Sequence, residues 1–190
     1  MQKFKGYASV GVVGLAAVVI FGLGWLLGTL ADTSWVFGEN MLSDLGADVS
    51  PGRYYFNLGC FFGGLLVMIA GIGIASMRKY RLYAEAGLLA AFAGVCLVMI
   101  GLFPEDTGDI HVAFAVVLFA FGIIGMAVMC AGDWKYGHVL CGGVTMLLIG
   151  IVLVTAVLEP LAMIEAIAVI AFLIWFAMSC VKISLIKEKL

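Results

Sequence analysis

The sequence predicts an all-α, polytopic integral membrane protein: a bundle of six transmembrane helices with both termini on the cytoplasmic side. Three observations predict it. Of 190 residues, 65% are hydrophobic and only 12% are charged, with a mean hydropathy of +1.21, whereas an ordinary soluble domain carries about 25% charged residues. A small soluble domain has too little interior to hide that much apolar surface. The apolar residues fall into six runs, each close to the ~20 residues that cross the hydrocarbon core of a bilayer. Finally, the basic residues gather on one side of those runs. This composition excludes a soluble globular enzyme, a disordered chain and a nucleic-acid binder.

The first helix is predicted over 7–30. It is too long and too rich in glycine for a signal peptide, and Asp32-Thr33-Ser34-Trp35 gives no small-residue cleavage site, so it is read as a retained span. The segment 31–50 is an outer loop, and its length sets it apart, since long loops in compact proteins are functional or disordered. Its Trp35, Val36, Phe37, Met41, Leu42, Leu45 and Val49 are not a disordered composition. Met41, Leu42 and Leu45 predict a short amphipathic helix over the mouth of the bundle, with Ser43 and Asp44 near its polar face. Ser50-Pro51 reads as an N-cap followed by proline at the first helical position, which opens helix 2 over 51–77. Helices follow over 83–103, 109–130 (with Asp109 as its cap), 137–158 and 160–182 (opened by Glu159-Pro160). Pro51, Pro104 and Pro160 all fall at span boundaries, where a missing N–H costs least. The connections 78–82, 104–109 and 131–136 are tight, so neighbouring helices are antiparallel within one domain, 1–190. Alternating ten-residue strands are absent, which argues against a transmembrane barrel.

Six spans put both termini on one side. That side holds Lys3, Lys5, Arg78, Lys79, Arg81, Lys135, Lys182, Lys187 and Lys189; only Arg53 lies opposite. Short loops rich in Lys and Arg stay in the cytoplasm. The outer side instead carries Asp32, Glu39, Asp44, Asp48, Glu105, Asp106, Asp109 and Glu159, so a net charge of −2 conceals a strong asymmetry.

Ionisable groups inside a span are costly, which makes function the default hypothesis for them. Glu165 lies about one turn into helix 6, Asn57 about one turn into helix 2, and His111 at the start of helix 4. All three are at outer helix ends. Asp44, Arg53, Glu105 and Asp106 are expected just above them, with Arg53 paired to one of the acids. If these residues form a site, Asp44, Asn57, His111 and Glu165 surround one cavity. His111, Asp44 and Glu165 are then the candidates for acid–base chemistry, and Ser43, Arg53, Asn57, Glu105 and Asp106 for ligand binding. His111 with Asp44, Glu105 or Glu165 offers nitrogen and oxygen ligands, but one outer histidine without HxxxH or HExxH assigns no metal. The structural alternative is that these groups cap, pair and hold helices together.

The remaining features imply packing. Gly24 and Gly28, and Gly59 and Gly63, form GxxxG pairs that let helices approach closely. The five cysteines, Cys60, Cys96, Cys130, Cys141 and Cys180, contain no CxxC and read as small hydrophobes. His111 and His138 lie at opposite faces, which disfavours haem. The cytoplasmic loops are too short for a nucleotide-binding motif. No cofactor is expected.

Several short motifs carry a resemblance. Leu42-Ser43-Asp44-Leu45-Gly46 follows span 1, Asn57-Leu58-Gly59 opens span 2, and Gly101-Leu102-Phe103-Pro104-Glu105-Asp106 closes span 3 shortly before His111. In this order they resemble the small six-helix prokaryotic membrane proteins of domain of unknown function family 998, over nearly the whole chain. The resemblance implies that Ser43, Asp44, Asn57, Pro104 and His111 matter together, and it implies no activity. A weaker similarity in outline, to lipid-remodelling proteins and membrane-embedded ceramidase-like hydrolases, departs from the latter because they need several histidine ligands.

Together these readings lead to an integral protein of the cell membrane whose outward acidic/His site binds, and in one version processes, a lipid headgroup or small polar ligand. The alternatives are a proton- or ion-coupled small-molecule transporter using Glu165, and a structural or accessory subunit with no site. Whether it is an enzyme stays open. The expected partners are membrane lipids, with a homo-oligomer left open and no nucleic acid.

Overall fold

The fold is that of a computed structural model, which describes residues 4–189; Lys3 of the orientation argument lies outside them. Six helices are each long and apolar enough to cross a membrane: α1 Ala8–Ala31, α2 Arg53–Ala75, α3 Arg81–Leu102, α4 Asp109–Tyr136, α5 Val139–Leu158 and α6 Leu161–Leu185. This is a multi-pass, all-helical membrane protein. The only strands among the described residues are two short terminal ones, β1 Phe4–Gly6 and β2 Lys187–Lys189, which pair antiparallel and join the two chain ends.

Each helix packs on its neighbours in sequence, and α1 closes the ring against α6. The GxxxG glycines set a close crossing. A Cβ on Gly59 would lie 2.8 Å from the Gly24 Cα, so α1 and α2 meet backbone to backbone. The same device recurs between α2 and α3, where a Cβ on Gly71 would come within 2.7 Å of the Gly87 carbonyl oxygen.

Three helix boundaries correct the expectations from sequence. Residues 131–136 are not a loop. Helix α4 runs through them to Tyr136, because Asp133 is buried against partners from other helices rather than solvated. It stops at Gly137, whose φ of 88° is a left-handed cap that glycine adopts without strain. At the other end of α4, Asp109 is the first helical residue rather than the cap; the N-cap is Gly108, with φ 63°. Helix α2 begins at Arg53 rather than 51, since Ser50 folds into a turn whose Oγ accepts the Gly52 N–H at 3.1 Å.

The segment between α1 and α2 forms a roof. Its 3₁₀ turn, Ser43–Gly46, drops Leu42 and Leu45 into a core cluster with Phe21, Phe56, Cys60 and Ile100. Asp32 ties the two ends of the roof together, accepting from the Ser34 hydroxyl at 2.6 Å and the Ser50 hydroxyl at 2.7 Å. Trp35 Nε1–H closes the middle by donating to the Met41 carbonyl at 2.8 Å. A larger apolar cluster, including Met77, Met126, Met129, Trp175 and Phe176, fills the rest of the bundle toward the end that holds the termini.

Candidate functional site

The cavity beneath the roof is built where α4 and α6 begin. These two helices touch each other little, because α5 connects them from the outside. The gap is a cavity of about 510 Å³. Four of its lining residues are polar or ionisable: Ser43, Glu105, His111 and Glu165. The others are apolar, including Val112, Val116, Phe119, Leu161 and Ile164. His111 and Phe119 lie eight residues apart on α4, roughly 12 Å along the axis. The cavity therefore has a polar end near the roof and an apolar end deeper in the bundle.

His111 is held from both sides. Its Nδ1–H donates to the Phe103 carbonyl at 2.8 Å, which fixes the tautomer, since a carbonyl only accepts. Nε2 then faces Glu105 Oε2 at 3.2 Å. A bare lone pair does not face a carboxylate favourably, so this contact needs one proton, carried as imidazolium–carboxylate or as a protonated acid. The imidazole is buried, whereas Glu105 is about one-third exposed. Glu165 accepts the Leu42 N–H at 2.5 Å, so it joins α6 to the roof while lining the cavity.

Not every candidate from the sequence lines this cavity. Asp44 turns back on its own loop and accepts the Met41 N–H at 2.8 Å. Its carboxyl is held above the usual aspartate range, chiefly by burial, with a smaller push from Glu105. Asn57 donates to the Gly46 carbonyl at 2.9 Å and supports the 3₁₀ turn from below. Arg53 pairs with Asp48 at 3.2 Å and lies over the Tyr54 ring. Asp106 accepts the Asp48 N–H at 2.5 Å and joins the 104–108 turn to the roof. The structure thus gathers Ser43, Glu105, His111 and Glu165, and it sets Asp44, Arg53, Asn57 and Asp106 around them as the frame of the roof. No group of three or more His, Cys, Asp or Glu among the described residues is arranged to hold a metal ion.

The sequence motifs are now explained by position. Leu42–Gly46 is the 3₁₀ turn, Asn57 is its prop, and Phe103 offers its carbonyl to His111. A family described as Protein of unknown function (DUF998) matches residues 15–182. The chain belongs to this family. The match runs from within α1 to within α6, so the roof and the cavity of this DUF998 protein both lie inside the family region. No curated protein and no solved structure matches the chain.

A second constellation in this DUF998 protein escapes the sequence reading, which treats its members as solvated topology signals. At the end opposite the roof, Lys182 of α6 forms a buried ion pair with Asp133 of α4. Tyr83 Oη donates to Asp133 Oδ1 at 2.7 Å, and His138 Nδ1 lies 3.1 Å from the same hydroxyl. The Lys182 ammonium sits over the Tyr83 ring, 4.5 Å from its centroid. One sequence signal was available: no proline interrupts the run from Asp109 through Asp133 to Gly137.

Proposed function

We propose that this DUF998 protein resides in the cell membrane with both termini cytoplasmic, and that its roofed cavity binds the headgroup of a membrane lipid or another small amphiphile on the outer side. The orientation rests on charge: Arg78, Lys79, Arg81, Lys135, Lys182 and Lys187 sit at the termini end, against Arg53 at the roof. The observation that carries the binding reading is a single cavity joining Ser43, Glu105, His111 and Glu165 to the apolar wall formed by Val112, Val116 and Phe119. A wholly aqueous ligand has no use for that wall, and a hydrocarbon has none for two carboxylates.

The polar end is dominated by acceptors. Two carboxylates and a hydroxyl suit a headgroup that brings N–H or O–H donors, an ammonium above all. Processing of the ligand would fall to His111, the one imidazole at this end. Because Glu105 occupies Nε2, the imidazole acts on a ligand through that carboxylate or after displacing it. The carrier reading gains no comparable support: the cavity of about 100 Å³ at the bundle centre is walled by apolar residues, from Ala17 to Phe176, among the described residues.

The test uses the full chain in nanodiscs containing equal amounts of phosphatidylethanolamine and phosphatidylcholine, followed by native mass spectrometry of the lipid that stays bound. The proposal expects phosphatidylethanolamine to be retained preferentially. Val116→Trp, at an exposed position on the cavity wall, is expected to abolish that preference without loss of fold. No retained lipid, or equal retention of the two lipids, would sink the reading.

A further inference from the structure

The termini end holds a second cavity, and none of its lining residues belongs to the roofed one. Between the first turn of α5 and the last turns of α6 lies a cavity of about 440 Å³, lined by His138, Cys141, Met178, Val181, Lys182 and Leu185 among others. Its two ionisable nitrogen-bearing residues belong to the buried constellation just described. Asp133, the only acid in that constellation, is fully buried and does not line the cavity. The cavity therefore presents the Lys182 ammonium and the His138 ring with no carboxylate among its lining residues.

The ammonium has capacity to spare. A lysine ammonium has three N–H groups, and Lys182 gives one to Asp133. No other described group accepts from it in a hydrogen bond. Tyr83 Oη donates to Asp133, so it accepts from His138 Nδ1–H; Nε2 is left to meet a ligand, as an acceptor for a P–OH or, on the imidazolium, as a donor to a phosphate oxygen. The buried aspartate and the tyrosine face hold the ammonium in place, so no lysine rotamer freedom need be lost when a ligand arrives. Outside the cavity, the same end carries Arg78, Lys79, Lys135 and Lys187, and its Arg81 is paired with Glu85 at 2.7 Å. Basic residues of this kind beside a bilayer concentrate anionic lipid. The cavity's other walls, Met178, Val181 and Leu185, are apolar and suit an acyl chain.

We propose that this cavity is a second amphiphile site, opposite in charge preference to the roofed one, that binds the phosphate of an anionic membrane lipid through Lys182 and His138 with a chain along Val181 and Leu185.

The experiment uses the full chain in nanodiscs of equimolar phosphatidylglycerol and phosphatidylcholine, with native mass spectrometry of the retained lipid. Phosphatidylglycerol is expected to be enriched about threefold to tenfold, the range of one typical net hydrogen bond. Val181→Trp fills the cavity from an exposed position, and His138→Gln replaces the ring with an amide that cannot take up a proton, while sparing the ion pair. Each is expected to bring the enrichment toward one with an unchanged melting temperature. Lys182→Arg, which keeps the cation, is expected to preserve it. Val116→Trp, at the other end, is expected to leave it intact, so failure here and failure of the outer site are read separately. Equal retention of the two lipids by the unmodified protein would overturn the proposal. So would full enrichment in both Val181→Trp and His138→Gln. Release of phosphatidylglycerol by millimolar inorganic phosphate would identify a free-phosphate site instead and overturn the lipid assignment.

Discussion

Glu165 accepts the backbone N–H of Leu42 at 2.5 Å, a bond between α6 and the roof across 123 positions of sequence. A side chain that lines the cavity is thus also the latch that holds its cover. Glu165→Leu leaves the Leu42 N–H without a partner in a largely dry place, which costs about 1–3 kcal/mol. Glu165→Gln keeps a carbonyl oxygen for the same bond and is expected to lose less. Thermal unfolding in detergent micelles, with limited proteolysis between residues 32 and 52, checks this. Equal melting temperatures and equal roof cleavage in the two variants would show that the latch does not hold the roof.

The α1–α2 crossing makes a steric prediction. A Cβ on Gly59 would stand 2.8 Å from the Gly24 Cα, and backbone cannot yield as a flexible side chain does. Gly59→Ala is expected to destabilise by about 1–3 kcal/mol, the usual cost of overpacking. Gly150 sits in a helix with open space around its Cα. Gly150→Ala is expected to be neutral or to stabilise by up to about 1 kcal/mol, the difference in helix propensity. Melting temperatures of the two variants in the same detergent decide it.

Two roof carboxyls are expected to respond to acid with opposite signs. Asp32 is held below the usual aspartate range by the Ser34 hydroxyl first and the Ser50 hydroxyl second. Its contribution is complete above the unfolded value of about 4 and is lost as pH falls through the lower native value. Asp44 is held above that range by burial, so its protonated form fits the fold better. Its contribution is complete below the unfolded value and is lost as pH rises through the higher native one. Asp32→Asn should therefore destabilise at neutral pH, and the difference should shrink on acidification. Asp44→Asn should stabilise at neutral pH and lose that advantage in acid. Melting curves between pH 3 and 7, in steps of about one unit, measure both.

The contrast between these groups shows what the sequence could and could not reveal. Span number and the shared end of the termini follow from apolar runs of bilayer length, a one-dimensional signal that packing seldom overrides. That Glu165 and His111 line one cavity was also legible, because an ionisable group at a helix end stands out against apolar neighbours. Which of the nearby polar residues line the cavity was not. Asp44 and Asn57 are spent on the backbone of the roof, and that depends on how a loop folds over three helices. Asp133 and Lys182 were harder still. Each has the sequence context of a solvated cytoplasmic charge, and only the contact between α4 and α6 reveals them as a buried pair.

That pair allows a test in which the double variant is better than the single one. Asp133 is fully buried and Lys182 almost so. Lys182→Met strands a carboxylate that still holds the Tyr83 hydroxyl, and a cost of about 3–5 kcal/mol is expected. Asp133→Asn with Lys182→Met removes both charges and keeps an acceptor for Tyr83, so much of the loss should return. A double-mutant cycle on thermal or denaturant unfolding reads the coupling directly. A double variant that loses the sum of the two single losses would show that the two charges do not act as a pair.

His111 gives the most specific prediction, because its geometry fixes where a proton sits. The Phe103 carbonyl at 2.8 Å can only accept, so Nδ1 carries hydrogen whatever Glu105 does. Nitrogen NMR of selectively labelled His111 is expected to show hydrogen on Nδ1. The two ring contacts can also be separated by substitution. In His111→Asn the amide N–H₂ stands near the position of Nδ1–H and can still donate to Phe103, whereas the contact to Glu105 is lost. His111→Ala loses both and leaves the Phe103 carbonyl without this donor beside the cavity. If the Nδ1 bond anchors the start of α4, Asn should melt above Ala by about 1 kcal/mol of stability. If lipid retention in the roofed cavity depends on Nε2 and Glu105, both variants should lose it alike. An Asn variant that melts with Ala yet retains lipid would reverse these assignments, leaving the Phe103 contact without structural weight and the Glu105 contact without a role in binding.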